Sequence, residues 1–155
     1  MKKITDTEIK SMLAAHKSWI DSSGKEGERA DLSEANLRNA YLKEANLRNA
    51  DLEDATLNCA TLYGADLSHA NLAYAYLKGA DLIQANLSGA NLAYANLRGA
   101  NLRNADLTDA NLEEAIVTDT ILEEKEKVES SNLRAKFDEF AKSLGVEIVS
   151  LTINL

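Results

Sequence analysis

Residues 65–104 read ADLSH ANLAY AYLKG ADLIQ ANLSG ANLAY ANLRG ANLRN, eight five-residue units that each open on alanine with leucine two places later. The frame extends in both directions. Alanine holds every fifth position from Ala30 to Ala115 and leucine every fifth from Leu32 to Leu112, with Val117 and Leu122 keeping the leucine register. Nineteen such units, residues 30–124, take up 95 of the 155 residues.

A period of five suits neither regular element. On an α-helix each fifth residue advances about 140°, so the leucines would scatter around the axis and leave no apolar face. In one long strand successive leucines would point to opposite sides. The pattern works if each unit is a short extended side followed by a bend, because alanine and leucine two apart then point the same way. If that way is inward in every unit, the chain winds about an axis, with alanine near the bend and leucine filling the middle. Seventeen buried leucines, at about 1.5–3 kcal/mol each, would supply most of the stability.

The other positions fit the bend. The residue before leucine is usually Asp or Asn (Asp31, Asn36, Asn46, Asp51, Asp66), whose side chain bonds back to nearby backbone. The second residue after leucine is Gly or Asn in seven units (Asn39, Asn49, Gly64, Gly79, Gly89, Gly99, Asn104), the types that tolerate the positive φ of a type II turn. NLAYA at 71–75 returns at 91–95, twenty residues later, which suggests four units per coil.

The motif Ala-(Asp/Asn)-Leu-X-X, present as ADLSE, ANLRN, ADLIQ, ANLSG, ANLRG and ADLTD, resembles that of the pentapeptide-repeat family over residues 30–124. The resemblance implies an all-β solenoid: a right-handed quadrilateral parallel β-helix of about five coils, about 23 Å long at the inter-strand spacing. Tyr41, Thr56, Thr61 and Tyr76 depart from the Asp/Asn position, and Ile116, Thr120 and Ile121 mark decay toward the C-terminal end.

Three segments are therefore expected: 1–29 as an N-terminal capping helix and linker, 30–124 as the β-helix, and 125–155 as a C-terminal helix and terminal strand. Thr5 and Glu8 make a capping-box pattern, and Ile9, Met12, Leu13, His16 and Ile20 form one stripe of a helix. DSSGKEG at 21–27 stops it. A solenoid end exposes unpaired backbone, so this helix is the expected cover. His16, with no second ligand beside it, is read as a histidine packed under that cover. Residues 132–144 predict a second amphipathic helix, with Leu133, Phe137, Phe140, Ala141 and Leu144 on one side. Val149, Leu151, Ile153 and Leu155 alternate with polar residues as a half-buried strand, which either lies on the solenoid's flank or pairs with its copy in a homodimer.

Composition narrows the function. The net charge of −8 argues against a basic nucleic-acid or membrane-binding patch. One cysteine, Cys59, permits no intrachain disulfide, and the N-terminus lacks the apolar run of a signal peptide, so a cytoplasmic location is expected. Cys59 and His69 fall on different faces of a four-unit coil, and no nucleophile–base pair, phosphate loop or metal-spaced cluster is evident. No catalysis and no cofactor are expected.

Placing every fourth unit on one face gathers Asp31, Glu34, Asp51, Glu53, Asp54, Glu113 and Glu114 on the first face, with Tyr74 and Tyr94 between Ala73 and Ala93 at its middle. The next face carries Arg38, Lys78 and Arg98, with Asp119 opposing them. The first face reads in three ways. It is a solvated surface with Tyr74 stacked over Tyr94, a protein-binding surface, or a carboxylate-rich cation site without a cage. Its candidate contact residues are Asp31, Glu34, Asp51, Glu53, Asp54, Tyr74 and Tyr94. The first functional reading is a non-catalytic structural or protein-interaction module. The family resemblance implies an alternative, a DNA mimic that binds an enzyme such as gyrase and dimerises through a helical C-terminus. The interruption of the acidic face by Ala73, Tyr74, Ala93 and Tyr94 counts against it, since a duplex carries one charge per about 1.7 Å.

Overall fold

The structure, a computed structural model, describes residues 2–122. The expected C-terminal helix at 132–144, the strand with Val149, Leu151, Ile153 and Leu155, and the last two residues of the repeat frame lie outside the described residues.

From Asp31 to Ile121 every unit forms a parallel bridge to the unit twenty residues on, beginning Asp31 to Asp51 and ending Asn101 to Ile121. Four units thus make one coil, and the four faces of the sequence frame are real. Backbone bonds between coils follow one rule. Leucine N–H donates to the Asp/Asn-position carbonyl of the next coil, as Leu52 to Asn71 at 2.7 Å, and that position's own N–H donates to an alanine of the previous coil, as Asn71 to Ala50 at 3.0 Å. The residue at the end of the unit adds a third bond, Tyr74 N–H to Ala93 O at 2.9 Å.

Each corner is closed within the unit. Ala75 N–H donates to Leu72 O at 3.1 Å, and the residue before the alanine has positive φ, here 60° at Tyr74. An i to i+3 bond with positive φ at the third residue alone is a type II turn. The seven Gly and Asn positions named above adopt it, and so do Glu34, Glu44, Asp54, Cys59, His69, Tyr74, Gln84, Tyr94, Asp109 and Glu114; Asp119 has the same positive φ, but there the Thr120 hydroxyl donates to Val117 O at 2.8 Å. The cost of a left-handed L-residue is about 1–2 kcal/mol, and in the middle coils backbone bonds within the unit and to both neighbouring coils offset it. The Asp/Asn side chains bond back as expected: Asp66 Oδ1 accepts from Ser68 N–H at 3.0 Å, and Asn86 Oδ1 from Ser88 N–H at 3.0 Å. Where Tyr76 takes that position, Lys78 N–H finds Asn58 Oδ1 in the coil before it, at 3.1 Å.

The core is the leucine stack. Leu32 to Leu107 are at most 3% exposed, with the alanines flanking them; Leu112, Val117 and Leu122 are partly buried.

The N-terminal segment packs on the first coil. β1 (Lys2–Lys3) adds a parallel strand to β2 (Ala35–Asn36), in the place a preceding coil would occupy on that face. α1 (Asp6–Asp21) starts at Thr5 with the capping box intact, Glu8 N–H to Thr5 Oγ1 at 3.3 Å and Thr5 N–H to the Glu8 carboxylate at 2.7 Å. Ile9 and His16 are buried, with Met12 and Leu13 partly so against the core. Residues 21–27 turn back along the helix. Gly24 N–H bonds Trp19 O at 2.7 Å, Ser22 Oγ accepts from Glu26 N–H at 2.8 Å, and Glu28 N–H reaches Ala15 O at 3.3 Å.

His16 ties this segment to the first repeat. Its Nδ1 accepts the Ala30 N–H at 3.0 Å, so the ring is neutral with its proton on Nε2, and it stacks on Trp19 at 5.7 Å. Burial pushes its pKa below the ordinary value; the Arg48 backbone opposes this, and the Arg29 and Arg48 charges add to the lowering. The folded protein therefore prefers the neutral ring while the unfolded chain takes up a proton near pH 6.5. Stability from this contact is full above about pH 6.5 and is lost as the pH falls below it. Melting temperatures at pH 7.5 and 5.5 check this. The wild type is expected to fall further than His16→Asn, which keeps a neutral acceptor; equal falls would remove the role assigned to His16.

Candidate interaction face

The twenty-residue register converts the first face into three columns. The ladder position carries Asp31, Asp51, Asn71, Asn91 and Asn111; the position after leucine carries Ser33, Glu53, Ala73, Ala93 and Glu113; the corner carries Glu34, Asp54, Tyr74, Tyr94 and Glu114. Along each column side chains stand one inter-strand spacing apart, about 4.8 Å.

At the corner the left-handed backbone turns the side chain outward. Tyr74 and Tyr94 stack with ring centroids 5.0 Å apart and planes within 5°, and they stay 48% and 46% exposed. Beside them Ala73 and Ala93 are nearly flush, 7% and 8% exposed. The result is an exposed aromatic ridge along a low apolar floor. Glu53 and Asp54 bound it on one side, and Glu113 and Glu114 on the other. The field there is acidic: the Glu113 carboxylate first, then loss of solvent, Tyr74 and Glu114, push the Tyr94 phenol above its ordinary value.

The candidate residues divide into two kinds. Asp31 and Asp51 serve the turns: Asp31 Oδ1 accepts from Ser33 N–H at 3.1 Å, and Asp51 Oδ1 from Glu53 N–H at 3.2 Å. Glu34, Glu53, Asp54, Tyr74 and Tyr94 project outward, all exposed. Two features extend the face beyond the sequence reading. Asn71 Nδ2 donates to Asp51 Oδ1 at 3.3 Å and to Glu53 Oε2 at 3.0 Å, and Asn91 and Asn111 continue the ladder, each donating to the Asn above at 3.1 Å. Arg29, which precedes the repeat frame, reaches Asp51 Oδ2 at 3.5 Å, so the acidic face receives one cation at its N-terminal end. The signal for the first was asparagine recurring at twenty residues; Arg29 carried none, because its position depends on the turn at 21–27.

On the neighbouring face Arg98 Nε meets Asp119 Oδ2 at 3.2 Å, an exposed pair. Cys59 is exposed on that face, and His69 stands on another, over Gly89. Among the described residues no group of three or more His, Cys, Asp or Glu side chains could hold a metal ion. None of the described helices is long and apolar enough to cross a membrane.

The family described as Pentapeptide repeats matches in eight copies over residues 30–68, 60–92 and 85–123. The chain belongs to the pentapeptide-repeat family, whose members wind into right-handed quadrilateral β-helices. Among solved structures it is similar to the pentapeptide repeat protein Rfr23 from the cyanobacterium Cyanothece 51142, at 40% identity and a TM-score of 0.61, covering 64% of this chain and 68% of that one. The pentapeptide repeat protein alr5209 from Nostoc PCC 7120 matches at 30% identity and a TM-score of 0.42, over 84% of this chain and 93% of its own. QnrB1, a plasmid-mediated fluoroquinolone resistance protein, matches as its trypsin-treated R167E form at 21% identity and a TM-score of 0.50, over 78% of this chain and 66% of its own; this likeness concerns the fold. No curated protein sequence matches the chain.

Proposed function

We propose that this chain is a non-catalytic protein-interaction module of the cytoplasm, with the Tyr74–Tyr94 face as its binding surface. The observation that carries the reading is the stacked, half-exposed tyrosine pair. Two large aromatic rings held rigid by a solenoid lose little conformational freedom on binding, and tyrosine is enriched where interfaces concentrate their energy. α1 and β1 act as the N-terminal cap in this reading, covering backbone that a bare first coil would expose. An interior filled by leucine and alanine offers no substrate cavity, which supports a role without catalysis. An exposed thiol at Cys59 suits a reducing compartment.

Capture from native lysate tests the face. The wild-type chain is expected to retain a protein that Tyr74→Ser/Tyr94→Ser loses and that Arg38→Ser/Arg98→Ser, altered on the neighbouring face, keeps. Retention by the tyrosine variant would overturn the assignment. The duplex-mimic reading is weaker here: the acidic columns are broken for two coils by Ala73, Tyr74, Ala93 and Tyr94, and Arg38, Lys78 and Arg98 lie on the next face. A captured DNA topoisomerase would move it to first place.

A further inference from the structure

We propose that the Tyr74–Tyr94 face takes an extended basic segment of a partner protein, carrying Arg or Lys at two positions four residues apart with an apolar residue midway. The proposal rests on the interaction reading above and specifies its ligand chemistry.

Over the last four of its five rungs the face is symmetrical in chemistry along the solenoid axis: an acidic pair, two apolar rungs, and a second acidic pair, with Glu34 one rung further toward the N-terminal end. Glu53 and Glu113 stand in one column with Ala73 and Ala93 between them, and Asp54 and Glu114 stand beside them with Tyr74 and Tyr94 between. Glu53 to Glu113 is three rungs, about 14 Å. The spacing is fixed by backbone ladders rather than by side-chain flexibility, and Asn71 holds the Glu53 carboxylate in place at 3.0 Å. Among the described residues no ion pair engages Glu53, Asp54, Glu113 or Glu114, whereas Asp51 has Arg29. Asp51 is thus partly compensated, whereas among the described residues the two pairs bounding the tyrosines have no cation of their own.

The 14 Å interval matches extended backbone. Residues i and i+4 of a strand are about 13 Å apart and lie on one side of it, with i+2 on that same side between them. A segment of pattern basic–X–apolar–X–basic, running along the axis, would set its two cations against the two acidic pairs and its central side chain on the Ala73–Ala93 floor beside the tyrosines. Closer cations, two residues apart, span about 7 Å and reach one acidic pair only. Each exposed pair contributes little alone, so the discrimination comes from engaging both ends with the apolar centre seated.

The test uses the full chain and two capped peptides of identical composition: one with the core Arg-Thr-Val-Thr-Arg, the other Thr-Arg-Val-Arg-Thr. Binding is read by 1H–15N shift titration at about 50 mM salt, where screening is modest. The first peptide is expected to bind at least about five-fold more tightly, as two weak ion pairs acting together allow. Its shifts should be confined to residues 53–54, 73–74, 93–94 and 113–114. Glu53→Gln/Glu113→Gln should bring it to the level of the second peptide, with the spectrum of the free chain otherwise unchanged. Equal binding of the two peptides, shifts on another face, or an unaffected glutamine variant would each overturn the proposal. If the tyrosine variant loses its lysate partner and the peptides nevertheless bind alike, the interaction face stands and this ligand chemistry falls. If capture survives the tyrosine substitutions, the face itself is wrong.

Discussion

Replacing Leu72 with alanine is expected to destabilise the protein by about 2–5 kcal/mol. Leu72 is fully buried, in the middle of a stack whose members above and below, Leu52 and Leu92, are equally buried. Its backbone is held on both sides, N–H to Asn91 O at 2.7 Å and carbonyl to Ala75 N–H at 3.1 Å, so the rung cannot sink into the space left behind. Stacked repeats draw their stability from contacts with the next repeat; a cavity at this rung weakens two of those contacts together. Urea unfolding of the wild type and Leu72→Ala gives the difference directly. A loss below about 1 kcal/mol would mean that the interior relaxes, and that the leucine column is not the close-packed core described above.

The second large effect concerns the turn between α1 and the first repeat. Gly27 has φ +73°, and a Cβ there would lie 2.2 Å from Ala15 O, 2.8 Å from Trp19 N and 2.9 Å from Ser18 Cβ. Two of these are helix backbone atoms that no rotamer change can move. Gly27→Ala therefore forces the returning chain off the helix, breaking Glu28 N–H to Ala15 O and straining the Ala30–His16 bond one turn further on. Gly24 supplies the control. Its φ is +84°, yet a Cβ there meets nothing closer than Trp19 Nε1 at 3.4 Å. Gly24→Ala should show only the cost of a left-handed residue, about 1–2 kcal/mol, and Gly27→Ala clearly more. Thermal unfolding, followed by the fluorescence of the single tryptophan, Trp19, separates the two. Equal losses would show that the turn is not packed against α1 as described.

The repeat made most of this fold legible. A five-residue period admits few windings of the chain, and alanine and leucine in fixed register leave no doubt about which side faces in. Tyr74 over Tyr94 followed from the twenty-residue return of NLAYA. The corners were less readable. Composition pointed to glycine and asparagine, but Glu, Gln, Tyr, Cys and His adopt the same left-handed backbone, because bonds between coils determine it more strongly than local preference does. The Asn71–Asn91–Asn111 ladder was hidden for a related reason. Single asparagines look like turn formers until the coil register sets one above another. The stop at 21–27 was legible, since α1 ends at Asp21, but not that this linker folds back along α1 and delivers Arg29 to the edge of the acidic face. Such contacts join residues far apart in sequence without periodicity, so no pattern announces them.

Whether the Tyr74–Tyr94 face is the binding surface is tested by a protection map of the full chain bound to the protein it captures, by hydroxyl-radical footprinting. Protection is expected at Tyr74 and Tyr94 together with the flanking 53–54 and 113–114, recurring at twenty-residue intervals down one face. Protection centred on Arg38, Lys78 and Arg98 instead, with both tyrosines as reactive as in the free chain, would contradict it.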